Sequence, residues 1–147
     1  MTQPVALPDN ASPTAPPPVA GIHHISLTVT DLARSEAWYT ELFGMTRIMD
    51  EPHHGGHAIV LMQLQTGLFI GLHAHDANHR ENFAETRTGL DHVSFRVSSR
   101  AELEAWERRL AERRIVHSAI ADVSYGSVLV LRDSDNIQLE FIAPAQG

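Results

Sequence analysis

The stretch GIHHISLTVTDLARSEAWYTEL, residues 21–42, returns as GLDHVSFRVSSRAELEAWERRL, residues 89–110, without a gap and at a constant offset of 68. Nine of the 22 positions are identical: Gly21/Gly89, His24/His92, Ser26/Ser94, Val29/Val97, Ala33/Ala101, Glu36/Glu104, Ala37/Ala105, Trp38/Trp106 and Leu42/Leu110. Ile22/Leu90, Ile25/Val93 and Leu27/Phe95 exchange one apolar side chain for another. Chance would supply roughly two or three identities, so the chain is a tandem of two related modules.

Each copy opens as a strand, because its side chains alternate in character and residues two apart share a face. In the first copy Ile25, Leu27 and Val29 oppose His24, Ser26 and Thr28; in the second Val93, Phe95 and Val97 oppose His92, Ser94 and Arg96. The repeated histidine therefore lies on the polar face of both strands. A helix follows each strand. Asp31 is a suitable N-cap for the first, with Leu32, Trp38, Tyr39 and Leu42 as its apolar stripe and Gly44 as its stop. Ser99 and Glu102 have capping-box spacing at the start of the second, and Leu103, Trp106 and Leu110 form its stripe. The two tryptophans read as equivalent core anchors. Three more strands are expected in each copy: around 46–49, 58–64 and 68–75, then around 115–119, 127–132 and 137–142, with turns at 65–67 and 133–136.

The predicted fold is α+β, with the order βαβββ twice. Module 1 covers about 21–75, a polar linker 76–88, and module 2 about 89–143, all within one domain over 21–147. Residues 1–20 hold six of the eight prolines and are expected to form a disordered or extended arm.

Composition bounds the chemistry. At 147 residues and 16.2 kDa the chain can form one core without staples. Having no cysteine excludes disulfides, thiolate metal sites and a cysteine nucleophile, so a metal must be held by nitrogen and oxygen. Eleven Lys and Arg against 18 Asp and Glu give a formal charge of −7, and no basic cluster offers a track for a phosphate backbone. Nucleic acid is not an expected partner. No apolar run nears the roughly 20 residues that span a bilayer, and the N-terminus has neither the basic start nor the apolar stretch of a secretory signal. No membrane partner and a cytoplasmic location are expected.

The segments His24-Ile-Ser-Leu-Thr-Val-Thr-Asp31-Leu, Trp38-Tyr39 and Leu42-Phe43-Gly44, together with Asp91-His92-Val-Ser-Phe-Arg-Val97 and Asp133-Ser-Asp-Asn-Ile-Gln-Leu-Glu140-Phe, resemble the vicinal oxygen chelate superfamily. That superfamily includes glyoxalase I, fosfomycin-resistance thiol transferases, extradiol dioxygenases, methylmalonyl-CoA epimerases and bleomycin-binding proteins. The likeness runs from Gly21 to Ile142. It implies curved mixed sheets that enclose a cavity for a divalent metal, while leaving the reaction open, since one scaffold hosts many chemistries.

Carried over residue by residue, the resemblance puts metal ligands at His24, His92 and Glu140. A lone strand histidine is more often an ordinary hydrogen-bonded residue, but here one recurs in both modules and joins a glutamate on the polar face of the last strand. Two imidazoles and a carboxylate suit Fe, Mn, Zn, Co or Ni as divalent ions. His23, which pairs with Asp91 in the repeat, reads as a residue supporting a ligand or ending a strand. Gly71 falls opposite Glu140 where glyoxalase I has a second glutamate. His73 shares the face of Gly71 and is a catalytic candidate, as auxiliary ligand or as general acid/base; His75 continues that face toward solvent. Tyr125 is a candidate for substrate contact. His53, His54 and His57 are set among Pro and Gly residues that mark a mobile loop; a loop over the site could use them, but a solvated turn is the expected reading.

Departures from the family narrow the function. Gly71 counts against standard glyoxalase I chemistry, and Ile120, Val128 and Val130 stand where fosfomycin-resistance enzymes place polar oxyanion-binding residues. The expected function is that of a metal-dependent lyase, isomerase or dioxygenase, acting on a small substrate chelated through adjacent oxygens. The alternative is a metal-independent binder of the bleomycin-resistance type. Val128, Val130, Phe69 and Leu129 are expected as apolar pocket walls, and the family's habit of pairing modules between chains implies a homodimer.

Overall fold

Two four-stranded sheets, each backed by one helix, carry the repeat into three dimensions. The computed structural model describes residues 15–145, so most of the arm expected over residues 1–20 lies outside the described residues. The first module is β1 (Ile25–Thr28), α1 (Leu32–Phe43), β2 (Thr46–His53), β3 (Gly56–Gln63) and β4 (Leu68–His75); the second is β5 (Val93–Arg96), α2 (Arg100–Glu112), β6 (Ala121–Val123), β7 (Gly126–Arg132) and β8 (Gln138–Pro144). The sheets run β1-β4-β3-β2 and β5-β8-β7-β6. In each, the first and last strands pair in parallel and the others antiparallel. The predicted α+β fold of two βαβββ modules is the observed one.

The helix ends follow their sequence signals. Asp31 accepts the Arg34 N–H at 2.9 Å, and Gly44 closes α1 in the left-handed region at φ 65°, its N–H donating to Thr40 O. Ser99 accepts the Glu102 N–H at 3.2 Å, whereas the Glu102 carboxylate accepts from the Ser98 N–H, one residue earlier than the expected capping box.

The helix-facing strand residues Leu27, Leu61, Ile70, Leu72, Leu129, Leu139 and Phe141 are buried in one core that spans both modules. Phe43, at the end of α1, reaches Phe95, Trp106 and Phe141 of module 2 at ring-centroid distances of 5.0, 5.6 and 5.7 Å. Such a ring contributes roughly 1.5–3 kcal/mol through burial alone. Both tryptophans pack, half-buried, against this core. A polar clasp reinforces the junction. Tyr39 donates to Asp133 at 2.7 Å, while Asp135 accepts from Thr30 N–H, Thr30 Oγ1 and Arg34, so the β7–β8 turn grips α1. Among the described residues no helix is long and apolar enough to cross a membrane.

Two expectations fail locally. The strand expected over 115–119 is reduced to an isolated His117–Leu131 bridge, and the edge strand forms instead at Ala121–Val123. Arg114 turns the chain at φ 56°, and the Ser118 hydroxyl then accepts the Val130 N–H at 3.0 Å, replacing the backbone carbonyl that a ladder would use. The solvated turn expected around His53, His54 and His57 narrows to His54 and Gly55: β2 runs through Pro52 to His53 and pairs with β3, which holds His57. Because β2 is the sheet edge, the missing N–H of Pro52 breaks no interior bond.

Candidate functional site

The sheet faces turned away from the helices carry the polar residues of the repeat. In module 1 the register pairs Ser26 with Gly71 and Thr28 with His73, which sets Ser26 and Thr28 on the same face as Gly71, His73 and His75, and His24 stands just before β1 rather than within it as expected. His24 is exposed, and its Nδ1 lies 2.9 Å from Nδ1 of His23, so one ring donates to the other. A Cβ at Gly71 would fall 2.5 Å from Ser26 Oγ and 3.4 Å from His73 Nε2, so the serine hydroxyl lies against the place where a side chain would begin.

Module 2 repeats this layout with a carboxylate added. Ser94 pairs with Glu140 as Ser26 pairs with Gly71, and its hydroxyl donates to Glu140 Oε1 at 2.7 Å. His92 Nδ1 lies 2.6 Å from Asp91 Oδ1. An ionised carboxylate only accepts, so Nδ1 carries the hydrogen, and in the neutral ring Nε2 then has the lone pair to offer, the arrangement found around metal-ligating histidines. The pairs His23–His24 and Asp91–His92 give repeat positions 23 and 91 one job: each orients the histidine that follows it.

The structure thus puts His24 at the start of one sheet, just before β1, and His92, just before β5, with Glu140 of β8 at the other. Among the described residues, the three His, Asp or Glu side chains whose ligand atoms lie within 4.8 Å of one another are His53, His73 and His75. His24, His92 and Glu140 do not meet in this way inside a single chain. Sequence reasoning placed His73 on the site face but preferred a solvated turn for His53, because Pro52 and the glycines masked the end of β2. His57 is on the opposite face, where its ring meets Asp50; this hydrogen bond is the main cause that holds the Asp50 carboxyl below its usual range.

His73 is half-buried, and its pKa is lowered first by burial and then by His53, His75 and His24, which favours the neutral imidazole. Tyr125 is 60% exposed in the β6–β7 turn, where its carbonyl accepts from the Ala145 N–H. Val128, Val130 and Ile142 line the open face of the second sheet in register with Ser94, Arg96 and Glu140. Leu129 corrects an expectation: it is fully buried and pairs with Phe141 on the helix side, because residues adjacent in a strand face opposite ways. A cleft of about 420 Å³ opens between the modules, lined by Phe43, Gln63, Phe95, Trp106 and Arg109 and by none of the predicted site residues.

Several solved structures share this architecture. A glyoxylase/bleomycin resistance protein/dioxygenase domain from Frankia sp. EAN1pec is 35% identical, over 88% of this chain and 96% of that one, with a TM-score of 0.81. The genomically encoded fosfomycin resistance protein FosX from Listeria monocytogenes is 19% identical over 86% and 95% of the two chains, TM-score 0.66. TnmS3, an antibiotic binding protein from Streptomyces sp. CB03234, is 16% identical over 86% and 98%, TM-score 0.64. At these last two identities the likeness is one of fold. Among curated protein sequences none matches. The family model for the Glyoxalase/Bleomycin resistance protein/Dioxygenase superfamily matches residues 21–141, the span of the two modules, and the chain belongs to that superfamily.

Proposed function

We propose that the protein is a divalent-metal-dependent enzyme that captures a small substrate through adjacent oxygens, with His24, His92 and Glu140 as metal ligands. The observation that carries this reading is the orientation of the donors. Asp91 fixes His92 with Nε2 free, Ser94 engages one oxygen of Glu140 and leaves the other, and His23 holds His24 by its Nδ1 face. Two neutral imidazoles and a carboxylate fit Fe, Mn, Zn, Co or Ni as divalent ions. A metal held there acts as a Lewis acid toward an enolate, alkoxide or oxyanion. A mutant of FosX from L. monocytogenes has been crystallised with Mn(II) and 1S,2S-dihydroxypropylphosphonic acid, a compound with neighbouring oxygens, in a chain of this fold.

The separation of His24 from His92 and Glu140 within one chain supports a homodimer in which module 1 of one copy faces module 2 of the other. Ile22 and Leu90, repeat equivalents beside the candidate ligands, are 86% and 38% exposed, apolar surface that a facing module would cover. Val128, Val130 and Phe69 shield the substrate from water. His73 supplies a neutral imidazole on the His24 face, as auxiliary ligand or proton acceptor, and Tyr125 contacts the substrate from its turn.

Elemental analysis of purified protein, followed by anaerobic Fe(II) loading and oxygen uptake over catechols and α-hydroxy carbonyl compounds, tests the reading. His92→Ala and Glu140→Ala are expected to lose metal and turnover together. Oxygen uptake would mark a dioxygenase, and turnover with redox-inert metals a lyase or isomerase. Unchanged metal content in both variants would overturn the ligand assignment, and unchanged affinity for a bound small molecule would favour the binding protein.

A further inference from the structure

The end of the first sheet holds three imidazoles, and the function proposed above uses only His73 among them. His53 ends β2 and His75 ends β4, and both are register partners of Gly56 on the strand between them. One residue pair along, His73 faces Ala58. A side chain at Gly56 would collide with Ala74 O and come within 2.8 Å of His53 Cε1. The floor of small residues lets the rings converge: centroids are 5.3 Å apart for His53 and His73, 5.1 Å for His53 and His75, and 6.2 Å for His73 and His75.

A second observation fixes the chemistry. His53 Nδ1 lies 3.1 Å from the His54 carbonyl oxygen, which only accepts, so Nδ1 is the protonated nitrogen. Nε2 then bears a lone pair, and it is buried without a hydrogen-bond partner. An orphaned buried acceptor is costly unless something fills its coordination. Backbone carbonyls orient metal-ligating histidines through the ring's other nitrogen in this same way.

The repeat supplies a control within the chain. Positions equivalent to His53, Gly56, His73 and His75 in module 2 are Val123, Gly126, Ile142 and Pro144. The glycine recurs, and a methyl group placed on it would meet a β8 carbonyl at Ala143 in the same way, but the side chains around it are apolar. The fold therefore does not require imidazoles in this niche.

We infer that His53, His73 and His75 form a second transition-metal site, holding a borderline divalent ion such as Zn(II) or Co(II) on three neutral imidazoles with a fourth position open. Zn–N bonds of roughly 2.0–2.1 Å in tetrahedral geometry place donor nitrogens roughly 3.3 Å apart. The ligand atoms start within 4.8 Å of one another, so small rotations of the rings close the shell. A site of nitrogen donors alone selects against Ca(II) and Mg(II), which take oxygen. The site shares no ligand with the His24, His92 and Glu140 set, and His73 is the one residue it has in common with the function proposed above.

The full chain, stripped with chelator, is titrated with Co(II) and followed by visible absorption and by bound metal per chain. The His92→Ala/Glu140→Ala double variant is expected to keep one equivalent with the intense absorption of a tetrahedral site. His53→Ala and His75→Ala are each expected to weaken that equivalent by more than the roughly 10–100-fold that loss of an outer-shell partner costs; His57→Ala, on the other face, is expected to leave it intact. His75 is exposed, so its substitution leaves the core untouched. Failure of the double variant to bind Co(II), or unchanged binding in both His53→Ala and His75→Ala, overturns the second site. A second equivalent lost only with His53 or His75, while His92→Ala and Glu140→Ala change nothing, sustains it and overturns the first reading instead.

Discussion

Modules 1 and 2 share a backbone plan and divide the chemistry between them. Where module 2 has Glu140, module 1 has Gly71; where module 1 has His53, His73 and His75, module 2 has Val123, Ile142 and Pro144. Ser26 and Ser94 hold the same register position, but only Ser94 has a carboxylate to donate to. The helix-facing residues stay apolar in both copies because they form one core, whereas the open faces are free of that constraint and carry the differences. Packing preserves the repeat, and chemistry breaks it.

Making the modules alike at the acid is the strongest way to test this division. Glu140→Gly gives module 2 the residue of module 1, and turnover is expected to fall roughly 1000-fold, about 4 kcal/mol of barrier, with unchanged thermal stability. Steady-state kinetics beside a melting curve separates this from unfolding. The reverse comparison replaces the imidazoles: His53→Val with His73→Ile gives module 1 the apolar niche of module 2. Stability is expected to stay within about 1 kcal/mol, because hydrophobic fill of similar volume replaces polar groups, while the second metal equivalent is lost.

The clasp between modules is asymmetric as well. Asp133, from the module 2 turn, accepts from Tyr39 and from the N–H groups of Asp135 and Ile137; the equivalent of Tyr39 in α2 is Glu107. Burial raises the Asp133 pKa against the pull of these hydrogen bonds, and burial with the nearby Asp133 charge drives Tyr39 well above its ordinary value. Asp133→Ala strands three buried donors and is expected to cost about 3 kcal/mol, whereas Tyr39→Phe is expected to cost about 1 kcal/mol. Urea denaturation of both variants measures the difference, and equal costs would place the clasp's strength in the tyrosine bond rather than in the backbone donors.

The repeat was legible in the sequence because nine identities at one offset bind strand, helix and core together. His24, His92 and Glu140 were legible as positions, since alternation assigns each to a polar face, yet their separation onto two sheets is a property of module packing that alternation does not encode. His53 was hidden for a different reason. Pro-His-His-Gly-Gly has the composition of a turn, and only the edge position of β2 makes Pro52 compatible with a ladder. The clasp was half visible: residues 133–136 read as a turn, but nothing local announces that Asp133 and Asp135 reach across to α1.

The linker sharpens the comparison at the smallest scale, because it docks on module 2. Arg132 on β7 donates to both Glu85 oxygens, at 2.7 and 3.0 Å, and Asn136 donates to the Phe83 carbonyl. The Arg132 hydrogen bonds are the largest cause that lowers Glu85 from 4.5 to about 2. A carboxyl with a depressed folded pKa holds fewer protons folded than unfolded, so its stabilisation is full above the unfolded value and is lost as pH falls through the folded one. The window is therefore pH 4.5 down to about 2. Glu85→Gln is expected to lower the melting temperature above pH 4.5 by a small amount, because an exposed pair is screened by solvent, and to flatten the acid limb so that the two profiles converge as pH falls to about 2. Added salt is expected to shrink the difference between the two proteins, as it would for a surface ion pair. Parallel acid limbs at low salt would mean that Phe83 and Asn136, rather than the ion pair, hold the linker on module 2.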